Sequence, residues 1–365
     1  MRLSHSKLSC ILSNPMEYML SYVEGITPIQ EKAALAIGSA VHWGIEHNTE
    51  DLSEYFGSQE SEYTRDQLLA EAMVHGYFKH KDEIFNEILT QPDGSKLTLL
   101  DEKHELYVTG KLKSLKNENK VHDFVGIIDL LLLTDQGFII IDYKTSSQTP
   151  DWNGYTEQLY KYMFLIQSEF PGVPILKIGI INLKKTMIRQ KKTENWEQFL
   201  NRMKWEYELN DENYVIYHEF PAETIDKELF ENYVKNLSKM SDMADMIDSN
   251  HMWYINYGAA NGFYGKSQFW DIYYHTPDAY LLYKISDKTF DEDGKLVDYR
   301  PCVPIDMMVI DHDNVMNHYD KYSQVKNTLF GQSLIDYNEL NEFLKKHYIC
   351  DDSLLNTYEK ISKIM

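Results

Sequence analysis

Cysteine is nearly absent. Cys10, Cys302 and Cys350 are the only three in 365 residues, widely spaced and odd in number. That count excludes a disulfide framework and a CxxC metal site, and leaves plain thiols. Long apolar runs are missing too: nothing reaches the roughly 18 residues needed to span a bilayer, and the opening MRLSHSKLSC lacks the apolar core of a signal peptide. A cytoplasmic protein is expected. Positive charge is the minority sign, 36 Lys and Arg against 57 Asp and Glu, for a formal charge of −21. A chain this acidic does not coat nucleic acid with its whole surface, so any polyanion must be met by a local basic groove. No repeat, linker or low-complexity tract marks a boundary. Core-forming sequence, by contrast, is plentiful: 43% of residues are hydrophobic and 27 are tyrosine, which suits one large domain or two ordinary ones.

Residues 122–147 read HDFVGIIDLLLLTDQGFIIIDYKTSS. Segments 125–133 and 138–141 have the composition of strands covered on both faces, and Thr134-Asp135-Gln136-Gly137 between them is turn material, which predicts a β-hairpin. With Asp135 and Gln136 as the two turn residues, Thr134 lies opposite Gly137. Counting back along both strands sets Asp129 across from Asp142. Alternation then puts Lys144 on the face of Asp142 and turns Tyr143 away. Opposed carboxylates in a buried sheet repel, so the arrangement calls for a cation between them. Magnesium or manganese, with oxygen ligands and retained water, fits that place and leaves a potential nucleophile near Lys144. The plainer reading is a strand-end ion pair between Asp142 and Lys144 with Asp129 solvated, and a register slip of one residue would separate the faces.

Upstream, residues 1–90 read as mostly helical. A helix over 8–22 is kinked or restarted at Pro15 and ends near Gly25. Thr27-Pro28-Ile29-Gln30 carries the signature of a second start, with a threonine cap, proline at the first helical position and a capping-box glutamine, and that helix runs to about His47. Gly38, Ser39 and Ala40 make it thin on one side. His42 lies just beyond, with Glu46 one turn on, either as a metal ligand with a carboxylate partner or as an ordinary packed histidine. A helix over 65–85 and a strand over 97–109 follow, and Lys111, Lys113, Lys116 and Lys120 suit a solvated hairpin tip.

Downstream of the hairpin, 155–170 is an amphipathic helix that places Gln158 and Tyr162 on one face, and 175–183 returns as a strand. Strand, helix and strand in that order indicate a crossover in a mixed α/β sheet. Lys184, Lys185, Arg189, Lys191 and Lys192 then form a basic run without an acid, either a phosphate contact or a strand edge guarded by charge. A helix over 196–211, a strand over 214–220 and a long helix over 222–248 come next. Tyr264, Phe269, Trp270, Tyr273 and Tyr274 suit base stacking or core packing. The acidic turn 291–294 lacks the ligand spacing of a calcium loop.

In the order His42, Asp129, Asp142-Tyr143-Lys144, Gln158 and Tyr162, the chain resembles the RecB-like branch of the PD-(D/E)XK nuclease superfamily, found in phage exonucleases, CRISPR-associated exonucleases and AddB-type nucleases. GSAVH resembles its helix motif ending in a metal-binding histidine, GIIDLL its aspartate strand, IIDYKTS its D-x-K core, and QLYKY its Q-x-x-x-Y, together spanning roughly residues 38–162. The resemblance implies a restriction-endonuclease-like α/β core with a mixed central β-sheet flanked by helices, plus helical and carboxyl-terminal additions. It divides the chain into a nuclease domain over 1–250 and an extension over 251–365 packed upon it. It implies that His42, Asp129, Asp142 and the main-chain carbonyl of Tyr143 hold one or two magnesium or manganese ions. Lys144 would orient or help deprotonate the attacking water, and Gln158 and Tyr162 would position the water network or the nucleic-acid backbone.

Cluster-containing relatives place a cysteine just before a proline in the first helix, where this chain has Asn14, and three more in a region that here reads INYGAANGFYGKSQFWDIYYH. No iron-sulfur cluster is therefore expected, and three scattered cysteines cannot supply four ligands. The implied activity is metal-dependent hydrolysis at DNA ends, as an exonuclease of phage-type recombination, repair or replication. Its implied partners are DNA and a recombinase, helicase or single-strand-binding protein, with monomer, toroidal trimer and helicase complex all open. The alternatives are a structure-selective or CRISPR-associated-type endonuclease and, from another class, a DNA-end-binding subunit. Intact acids and lysine argue against the last.

Overall fold

The computed structural model describes residues 2–28, 33–57, 64–148, 150–220, 226–262, 265–275, 283–290 and 296–302. The chain opens with β1 (Arg2–Leu3), α1 (His5–Ser13), α2 (Pro15–Tyr18), a π-helical turn (Met19–Val23) and β2 (Ile26–Pro28). Next come α3 (Ala33–Glu46), α4 (Ser53–Phe56), α5 (Arg65–Leu89), β3 (Leu99–Lys113), β4 (Val121–Thr134), β5 (Phe138–Ser146), α6 (Thr156–Glu169) and β6 (Ile175–Lys184). The remainder is α7 (Trp196–Leu209), α8 (Asp211–Tyr214), β7 (Val215–Glu219), α9 (Lys227–Ser249), α10 (Tyr257–Ala260), β8 (Asn261–Gly262), β9 (Gly265–Lys266), α11 (Trp270–Tyr273), β10 (Tyr283–Phe290) and β11 (Leu296–Cys302). Two compact units result. One holds the described residues up to His5 and those of Lys32–Lys239; the other holds those of Ser6–Glu31 and those from Met240 on. The first helices group with the residues from Met240 on.

The first unit is built on a mixed sheet in the order β1-β4-β5-β6-β7, with β3 also paired to β4. β1 with β4 and β5 with β6 are parallel; the other pairs are antiparallel. The β5-α6-β6 crossover is thus the one that strand, helix and strand predict. At the hairpin tip Thr134 N–H donates to Gly137 O at 2.9 Å, and the ladder runs from Leu133↔Phe138 to Leu130↔Ile141, the register the turn dictates. Gly137 is required there, since a Cβ would collide with Pro174 O.

One sheet face packs on α3, α5 and α7 through Leu130, Leu132, Ile139, Ile141, Tyr143, Ile181 and Leu183. α5 starts where Thr64 caps it, its side chain accepting from Gln67 N–H at 3.2 Å, and α7 starts at the capping box of Asn195 and Gln198. The other face carries α6, seated on Phe124 and on Gly126, where a Cβ would come within 2.7 Å of Leu165. The basic run does not guard an edge: β6 is interior, and 185–191 is loop. The lysine-rich 114–120 is a hairpin tip between β3 and β4.

In the second unit Pro15 restarts the helix and Gly25 ends it in a left-handed conformation, φ 67°. Thr27 and Pro28 do not start a helix. They pair in β2 with Lys284 and Tyr283, so a strand partner far along the chain outweighs the local capping signal. Residues 29–32 lie outside the described residues. Phe269, Ile272, Tyr273 and Tyr283 form a core with Leu20, Ile26 and Ala260, which makes part of the aromatic cluster core. Trp270 and Tyr274 stack at 4.0 Å, and Tyr264, the turn 291–294 and residues 303–365 lie outside the described residues. Asn14 is buried; its amide donates to Tyr273 Oη (3.2 Å) and Glu17 Oε2 (3.4 Å), and its Oδ1 accepts from Asn256 N–H (3.2 Å). Cys10 forms no disulfide, and burial pushes its thiol up to about 12, so it is inert near neutral pH.

Candidate active site

Along one edge of β4 the neighbour is β3 throughout. On the other edge β1 pairs only at Asp123 and Phe124 and β5 only at 130–133, so 125–129 faces a gap. Asp129 stands at the end of that gap. It lies one step beyond the last β4-β5 pair, opposite Asp142, and its Oδ2 accepts from Tyr143 N–H at 2.7 Å in place of a ladder bond. On its other side the β3-β4 ladder passes from His104↔Leu130 to Leu106↔Ile128, skipping Glu105, whose backbone is left-handed at φ 47°. The sheet changes phase here. Gly126 faces α6, whereas Leu130, four residues on and therefore on the same face of a regular strand, packs with α3 and α5. Glu105, Asp129 and Asp142 consequently lie in one row across β3, β4 and β5.

Around that row the other side chains converge. α3 approaches β5 closely because Gly38 lies against Thr145, where a Cβ would come within 3.2 Å of Oγ1, and this brings in His42. His42 Nδ1 lies 3.4 Å from Glu105 Oε1 and 3.7 Å from Asp129 Oδ1. Its carboxylate partners are these two rather than Glu46, which reaches His47 Nδ1 at 3.8 Å. Lys144 Nζ sits 2.5 Å from Asp142 Oδ2, donates to Gln158 Oε1 at 3.1 Å, and lies over the Tyr155 ring. Gln158 Nε2 in turn donates to Asp142 Oδ1 (3.0 Å) and Tyr162 Oη (2.7 Å). Tyr143 points to the opposite face, where its hydroxyl meets that of Tyr77 at 2.8 Å. The expected residues His42, Asp129, Asp142, Lys144, Gln158 and Tyr162 are thus brought together.

Electrostatics match the crowding. Burial, then repulsion from Asp129, pushes the Asp142 carboxyl up to about 7 despite Lys144; burial likewise raises Asp129 against the pull of His42. For His42, burial disfavours the charged ring, but Asp129, Glu105 and Asp142 together outweigh it and lift the imidazole to about 9. Lys144 is also desolvated, yet Asp142 and Asp129 keep its ammonium above the ordinary range. Three acids therefore share two cations, an arrangement that favours protonated carboxyls or an added cation. His42, Glu105 and Asp129 each offer a ligand atom, all within 4.8 Å of one another, and this donor set fits a divalent metal.

A profile of the PD-(D/E)XK nuclease superfamily matches residues 2–250. The chain belongs to that superfamily. It is a metal-dependent nuclease, and its mixed sheet flanked by helices is the superfamily's restriction-endonuclease-like core. Among solved structures it is similar to a candidate exonuclease from Eubacterium rectale, at 14% identity and a TM-score of 0.43, over 67% of this chain and 81% of that one. It is also similar to the protein SSO0001, at 12% identity and a TM-score of 0.26, over 66% of this chain and 83% of that one. No curated protein matches significantly.

Within this nuclease the basic run starts at the end of β6 that lies beside Lys144 and Ser146. Ser146, two residues past Lys144, pairs with Lys184, and Lys185 N–H donates to Ser146 O at 2.7 Å. Lys185 is half-buried, and Arg189, Lys191 and Lys192 are exposed. Glu105 went unnoticed in sequence. Its one signal is a place in the polar stretch Lys103-His104-Glu105 of an otherwise plausible strand.

Proposed function

We propose that this nuclease is a DNA exonuclease, hydrolysing phosphodiester bonds at DNA ends in phage-type recombination, repair or replication. One observation carries the chemistry: three carboxylates in a row across adjacent strands, with Lys144 on the last of them. In this reading His42, Glu105, Asp129, Asp142 and the Tyr143 carbonyl hold magnesium or manganese. Such an ion, when bound, supplies Lewis acidity and a more acidic water. Lys144, whose ammonium the two aspartates favour, acts as a cationic donor to a phosphate oxygen and orients or helps deprotonate the attacking water. Gln158 fixes the spacing of Lys144 and Asp142, and Tyr162 buttresses Gln158. Lys184, Lys185, Arg189, Lys191 and Lys192 take the phosphate backbone away from the cut. What favours end-directed cleavage is the ordered resemblance of His42 to Tyr162 to exonuclease motifs, and the same resemblance favours DNA.

The test is degradation of end-labelled linear and covalently closed DNA, single- and double-stranded, with magnesium, manganese or EDTA, for the wild type, Asp142→Ala and Lys144→Ala. Loss of linear DNA alone, stopped by EDTA and by either substitution, is the expected result. Cutting of closed circles would make the enzyme an endonuclease. Tight DNA binding without metal-dependent cleavage would point to an end-binding subunit.

A further inference from the structure

Asn182 on β6 is fully buried, and among the described residues neither Oδ1 nor Nδ2 of its amide has a hydrogen-bond partner. Buried amides are almost always paired, so this one is an anomaly that calls for an occupant. Its neighbours identify one. In direct register it lies between Lys144 on β5 and Ile216 on β7, and residues in register project on the same face, the face of Asp142. Ile216 offers nothing polar. Diagonally on β5, the Ser146 hydroxyl is also buried without a partner among the described residues. Among the described residues two lysines adjoin it on this face, Lys144 one strand spacing of about 4.8 Å away and Lys184 two residues on along β6; of the two, Lys144 is the one in direct register with it.

Lys144 at present engages Asp142 Oδ2 and Gln158 Oε1. An Asp142 oxygen held by an ammonium is not free for a metal, so the two uses of that carboxylate compete. An ammonium leaving the acid needs another acceptor, because a desolvated donor without one is costly. We propose that Asn182 is a positioning residue for Lys144: its Oδ1 accepts from the ammonium once Asp142 releases it, and so keeps the cation on the active face. This rests on the metal-dependent reading above. Lys144 thereby has two seats, one neutralising the acid row and one beside a bound phosphate.

The test is a double-mutant cycle read by manganese affinity, using calorimetry on the full chain without DNA. Asn182→Leu is expected to leave metal-free melting unchanged or raised, because an unsatisfied amide is lost. It should weaken manganese binding about tenfold, and lower kcat about as much with KM for DNA unchanged. In a Lys144→Met background the same substitution should leave manganese affinity unchanged. Equal losses in both backgrounds would overturn the proposal in favour of a buried water or packing role, and no loss in either would overturn it outright. A wild type that binds no manganese would sink the metal reading itself, and the inference with it. Should Asn182→Leu fail to fold, Asn182→Ala closes the same cycle.

Discussion

Around Asn14 the buried polar atoms are matched donor to acceptor. Its amide meets a phenol and a carboxylate, its carbonyl oxygen meets a backbone N–H, and Glu17 takes a further bond from Ser267 at 2.9 Å. Around Asp129 the matching fails. Among the described residues Glu105, Asp129 and Asp142 have only His42 and Lys144 to offset them, and burial raises the carboxyls of Asp129 and Asp142 above the ordinary range. Both clusters are polar and largely buried, so burial alone does not separate structure from chemistry. Satisfaction does: a network complete in itself holds a fold together, and one left incomplete waits for something from solution.

That contrast can be broken from either side. Asp142→Asn and Lys144→Ala should each lower kcat at least about 10³-fold in a DNA cleavage assay. Asp142→Asn should nevertheless melt no lower than wild type without metal, because it removes a like charge; a melting point well below wild type would mean the acid row is structural. Asn14→Ala should do the reverse. It is expected to cost about 1–3 kcal/mol in denaturant unfolding, while cleavage per folded molecule stays within about twofold. Glu105→Gln should weaken metal binding by about tenfold in calorimetry, and an unchanged affinity would remove Glu105 from the ligand set.

The smallest effect is one of pH. The Asp142 carboxyl rises to about 7 in the folded chain from an ordinary value near 4, so below about pH 4 it is protonated folded or unfolded and adds no penalty. Between those values the unfolded chain ionises first, and metal-free stability falls as pH rises. The rise in melting temperature on adding magnesium should therefore grow from about pH 5.5 to about pH 8, and a shift that shrinks over that range would contradict the assignment.

How much of this could be read beforehand depended on what fixes register. A two-residue turn locks its strands, so Asp129 opposite Asp142 followed from counting. Residues 114–120 form a longer loop that locks nothing, and a left-handed glutamate has no sequence mark, so Glu105 stayed hidden. Gln158 and Tyr162 followed from helical spacing. Thr27 misled because its partner is Lys284, beyond any local pattern. Asn182 stood in plain view in ILKIGIINLK, a lone amide in an apolar strand, without anything to show that it would lie beside Lys144.

The phase change at Asp129 gives the sheet a joint. On one side lies the long arm of β3 and β4 that ends in the lysine-bearing tip; on the other lie the paired acids. Because in-out alternation restarts there, the facing of side chains in the arm is set separately from that of Asp142 and Lys144. A change of facing within the arm therefore leaves the row of acids as it is.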